Sequence, residues 1–138
     1  MKKTLFALLI VVVLFGCEDI VTPPDDPQLF TDITYQVNGN GIATAGSITY
    51  GDLKYSNPNY PDSLIWEYVS VDDKTLPWAI QTNTCVGHPV KLSALASGNP
   101  GSSLQLRIFD DDVLVAEKVY ESNGFLWGGT LEYIIPNP

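Results

Sequence analysis

From Phe30 onward apolar residues recur with a period of two, interrupted at short intervals by clusters of Gly, Pro, Asn and Asp. Such alternation marks half-buried strands, because successive side chains of a strand point to opposite faces. Ile33, Tyr35 and Val37 alternate with Thr34 and Gln36, and Asn38-Gly39-Asn40-Gly41 follows as a turn signal. Further strands are predicted over roughly 42–50, 64–71, 78–85, 90–96, 104–109, 113–120 and 125–135, the last with Gly128-Gly129 inside it. Gly51-Asp52 interrupts the second, and Asn57 to Asp62 is a loop rich in turn formers. No stretch carries a helical stripe. The prediction for residues 30–138 is an all-β fold, an immunoglobulin-like antiparallel β-sandwich of seven or eight strands; a closed barrel would have the same strand count.

The alternation also predicts a core. Ile33, Tyr35, Val37, Val90, Leu92, Ala94, Leu104, Leu106, Ile108, Val113 and Val115 are expected to face inward. Gln36, Lys91, Ser93, Gln105, Arg107 and Lys118 are expected to face water, and Trp66 and Trp78 to pack between the sheets. No internal repeat is evident.

Ahead of this domain the pattern changes. Lys2 and Lys3 precede an apolar run from Leu5 to Phe15 that stops at Gly16-Cys17, before Glu18 and Asp19. The run is shorter than the roughly 20 residues a bilayer-spanning helix needs, and its charged start and small-residue end read as an export signal over residues 1–16. Leu14-Phe15-Gly16-Cys17 resembles the lipobox of bacterial lipoproteins, which implies cleavage before Cys17 and lipidation of that cysteine. Residues 17–29 are acidic, carry Pro23, Pro24 and Pro27 and have no apolar period, as expected of an extended tether. Glu18 rather than Asp after the cysteine gives no inner-membrane retention signal by the enteric rule. A cell-envelope, lipid-anchored protein is expected, with the outer membrane favoured.

Charge and cysteine content narrow the chemistry. The chain has net charge −9, and removing Lys2 and Lys3 makes it more acidic still, which argues against nucleic-acid partners. With Cys17 acylated, Cys85 is the one thiol left, so the fold has to stand on its core. Cys85 and His88 could form a nucleophile and base only with a third, orienting group that the spacing does not supply; a small buried residue and a turn residue are the plainer reading. Asp110-Asp111-Asp112 lacks the spacing of a calcium loop and reads as a hairpin tip. Neither a metal nor another cofactor is expected, and the protein is read as non-enzymatic. Tyr60, between prolines, and Trp127, before two glycines, are the candidate exposed rings for binding.

Taken in order, several short motifs resemble the MmpS-type domain, an exported β-sandwich. They are Ile33-Thr34-Tyr35-Gln36-Val37, Ile48-Thr49-Tyr50, Leu76-Pro77-Trp78, Leu92-Ser93-Ala94 and the hairpin from Arg107 to Ala116. The likeness spans Phe30 to Leu131. It implies a membrane-anchored accessory beside an RND-type transporter or another envelope protein. The chain departs from the pattern at Asp110-Asp111-Asp112, where an Asp-Gly turn is usual, and in bearing a lipid signal where mycobacterial members carry a transmembrane helix. The expected function is therefore a binding or adaptor domain; the alternative is a surface glycan-binding lipoprotein that uses Tyr60 and Trp127.

Overall fold

The computed structural model describes residues 30–57 and 60–136, and from 54 to 64 the backbone alone. Eight strands follow one another: β1 Phe30–Asn40, β2 Thr44–Asn57, β3 Tyr60–Thr75, β4 Trp78–Cys85, β5 Pro89–Ser97, β6 Ser103–Asp110, β7 Val113–Glu121 and β8 Leu126–Ile134. They form two four-stranded sheets in the orders β4-β1-β6-β7 and β3-β2-β5-β8, with every pairing antiparallel. The two ladders are separate, so the architecture is a sandwich rather than a closed barrel. Advancing each strand by four positions converts one sheet order into the other, a twofold relation of topology that no residue pattern discloses.

Between the sheets lie Ile33, Tyr35, Val37, Val90, Leu92, Ala94, Leu104, Leu106 and Ile108, all at most 1% exposed, as the alternation predicts. Ala45, Ile48, Tyr50, Ala96, Trp127, Leu131 and Ile135 complete this core. Trp78 packs against it beside Tyr50, with ring centroids 5.6 Å apart. Trp66 also packs against the core from a partly buried position, but strand alternation starts it on the outer face of its sheet, over Gly51, where an added Cβ would fall 1.9 Å from the indole. Gly51 is thus the floor beneath a ring and does not end a strand. β2 continues through it to Asn57, and β3 begins at Tyr60, so most of the predicted loop from Asn57 to Asp62 is strand, and positions 58 and 59 lie outside the described residues.

β7 departs from expectation. The β6–β7 register shifts at Ile108/Phe109, leaving Val115 as the extra residue of a bulge and reversing the alternation beyond it. Ala116, Lys118 and Tyr120 therefore stand opposite the buried Ile108, Leu106 and Leu104, while Val113 is 63% exposed and Val115 is only partly covered. Val113 is no core residue, whereas Val115 packs against the core from a partly buried position, and Lys118 stays in water from the core-side position by extending its ammonium over Tyr120, 5.0 Å from the ring centroid.

Tyr35 offers a test of the core by pH. Its ring is buried against Tyr50, and burial holds its phenol well above the usual tyrosine range. The unfolded chain ionises this group above about pH 10, where the folded chain keeps it neutral. Its contribution to stability is present below that pH and is lost as pH rises further. Tyr35→Phe is expected to show a shallower alkaline loss of stability in urea titrations than the parent; equal slopes would refute this assignment.

Candidate functional site

All-antiparallel order puts the β1–β2, β3–β4, β5–β6 and β7–β8 connections at one end of the sandwich. Phe30, the remaining connections and the C-terminal end of β8 lie at the other. At the first end three loops enclose an open cleft of about 610 Å³. Gly41 to Thr44 form one wall, Ser97 to Asn99 a second, and Gly124, Phe125 and Leu126 a third. Phe125 is 85% and Leu126 62% exposed, so two large apolar side chains stand in water at the rim. A recess of this size with apolar side chains at its rim suits ligand or partner binding.

Serine hydroxyls lock the three loops together. Ser102 Oγ donates to the Gly41 carbonyl at 3.2 Å, and Ser122 Oγ donates to the Gly98 carbonyl at 3.1 Å while accepting from Gly124 N–H at 3.2 Å. The Ser122 N–H donates to the Ser102 carbonyl at 2.8 Å, and the Leu76 N–H to the Ala43 carbonyl at 2.8 Å. Ser102 is 5% exposed, so its hydroxyl is a buried fastener. Loops fixed in this way keep the rim in place and lower the entropy lost on binding.

The residues singled out by sequence fare unevenly. Cys17, with the predicted signal peptide and linker, lies outside the described residues, as does the Tyr60 side chain. Trp127, expected at the surface, is only 6% exposed, because its position opposite Ala96 faces the core; its indole N–H has no hydrogen-bond partner among the described residues. It presents no ring for stacking. His88 is exposed, and its ring stacks on Trp66 at 6.1 Å with a 20° interplanar angle. Its N–H donates to the Cys85 carbonyl at 3.4 Å, closing the β4–β5 turn, while burial pushes the Cys85 thiol up, away from the reactive thiolate.

Asp111 and Asp112, with φ of 46° and 64°, form the two-residue tip of the β6–β7 hairpin. The neighbouring carboxylates pin it: Thr31 donates to Asp110, Asp111 accepts from the Asp32 N–H at 3.3 Å, and Asn83 donates to Asp32 at 3.0 Å. Among the described residues no group of three or more His, Cys, Asp or Glu side chains is placed to hold a metal ion. Phe125 and Leu126 are the residues sequence reasoning missed. The signal was present, an apolar pair directly after Ser122-Asn123-Gly124, where a turn leaves side chains in water.

No protein-family model matches the chain. No curated protein matches it in sequence.

Proposed function

We propose that this chain is a lipid-anchored, non-enzymatic lipoprotein of the bacterial envelope, whose sandwich is a binding or adaptor domain accessory to an RND-type transporter. The observation carrying the binding role is the cleft rimmed by Phe125 and Leu126, set at the end of the sandwich opposite the chain entry at Phe30. A tether joined at Phe30 leaves this rim free to meet a partner. The export and lipidation signals at Lys2 to Cys17 support the anchor, and the ordered motifs from Ile33 to Ala116 support the transporter class. Two acyl chains suffice for stable membrane attachment, so the domain needs no other membrane contact. The outer membrane is the favoured site, since Glu18 carries no retention signal.

Pull-down of the intact lipoprotein from solubilised envelopes is expected to recover a transporter subunit. Phe125→Ala should lower that recovery about tenfold or more, the effect of losing a binding hot spot, while thermal stability stays close to the parent because the ring is exposed. Recovery unaffected by Phe125→Ala would remove the cleft from this reading; recovery of no transporter subunit would remove the accessory role.

A further inference from the structure

Each sheet ends in two edge strands, and three of these four edges are guarded. β7 is bent by its bulge at Val115 and carries Glu117, Lys118 and Glu121. Tyr120 reaches from it to donate to the Thr130 carbonyl, so β7 and β8 shield each other. β4 has eight residues, with Gln81, Thr82, Asn83 and Thr84 in its second half. β3 is unlike them. At 16 residues it is the longest strand; among the described residues it pairs with β2 alone, and β4 packs across the core onto β2. Its stretch Ile65-Trp66-Glu67-Tyr68-Val69-Ser70-Val71 is rich in strong β-formers, with one charge and neither Pro nor Gly. A free backbone edge of that composition recruits another strand. Ile65 and Tyr68 are already 43% and 54% exposed.

We propose that β3 pairs antiparallel with β3 of a second copy about a twofold axis at Tyr68, joining two four-stranded sheets into one of eight strands. Register favours this arrangement over axes at Glu67, Val69 and Ser70. Keeping both cores on the same side of the joined sheet requires the axis to pass through a residue, because opposed residues share a face. An axis at Glu67 sets two carboxylates face to face, and one at Ser70 opposes Glu67 to Asp73. An axis at Val69 places Trp66 and Ile65 against Asp72 and Asp73. At Tyr68, Ile65 meets Val71, Trp66 meets Ser70, Glu67 meets Val69 and the two tyrosines meet each other, with no like charges opposed over this stretch. The chain's net charge of −9 discourages indiscriminate association, so a register free of such oppositions matters. An axis perpendicular to the sheet also leaves both Phe30 ends at equal height along it, where two tethers can reach one bilayer.

The test uses the full chain with Cys85→Ala. Directly opposed Cα atoms lie roughly 4.5 to 5.5 Å apart, within disulfide range. Under mild oxidation of envelopes, Tyr68→Cys is expected to give about tenfold more covalent dimer than Gln81→Cys on the β4 edge. In detergent solution the parent is expected to be dimeric by native mass, and Tyr68→Lys, which opposes two ammonium groups, to weaken the dimer about tenfold or more with unchanged circular dichroism. Equal cross-linking at positions 68 and 81, a monomeric parent, or a Tyr68→Lys dimer as tight as the parent's would each overturn the proposal.

Discussion

Gly128→Val is expected to be the most destabilising single substitution considered for this domain. Gly128 lies opposite Leu95 in the β5–β8 ladder, and a Cβ there would fall 2.0 Å from the Ala94 carbonyl oxygen, 2.9 Å from its carbon and 3.0 Å from the Leu95 Cα. All three obstacles are backbone, so no side chain can swing aside; relief requires opening the ladder that seats Trp127 and Leu131 in the core. The backbone φ of 155° adds strain for any residue with a side chain. A cost above about 4 kcal/mol is expected, a large part of the roughly 5 to 15 kcal/mol that holds a domain of this size. Gly46→Ala is the control, since its Cβ would meet the Leu95 carbonyl at an ordinary 3.7 Å. Urea titration followed by circular dichroism decides: a Gly128→Val midpoint close to that of Gly46→Ala would refute the packing described.

The second large effect separates two residues that the alternation treats alike. Leu106 is fully buried, and truncation to alanine removes apolar volume from between the sheets, at an expected cost of about 2 to 5 kcal/mol. Val113, also predicted inward, is 63% exposed at the start of β7, and Val113→Ala should stay within about 0.5 kcal/mol of the parent. The contrast reports place along the strand rather than phase, because Val113 pairs with Asp110 beside the hairpin tip, ahead of the bulge, where the core no longer covers it. Comparable losses in the two variants would show that Val113 is buried and would contradict this placement.

Where both faces of a strand keep a strict alternation, the residues themselves disclosed the fold: Ile33, Tyr35 and Val37 in β1 and Leu104, Leu106 and Ile108 in β6 could face only one way. β7 was opaque because its bulge adds a residue without any mark in composition, and Val113-Leu114-Val115-Ala116 reads equally well in either phase. Glycine misled twice. Gly51 looks like a strand break but makes room for Trp66, and Gly128-Gly129 looks like a surface turn beside Trp127 but brings Ala94 and Tyr120 close to β8. The cleft was hidden for another reason. Its walls come from loops that end three different strand pairs, and their meeting depends on topology and on the hydroxyls of Ser102 and Ser122 rather than on any local motif.

Intact-mass measurement on the protein extracted from bacterial envelopes tests the proposed anchor, the premise of the functional account, most directly. The predicted mass is that of a chain beginning at Cys17 and carrying a diacylglyceryl group on sulfur with a further amide-linked acyl chain. A chain that retains residues 1–16, or one cleaved without added lipid, would contradict it.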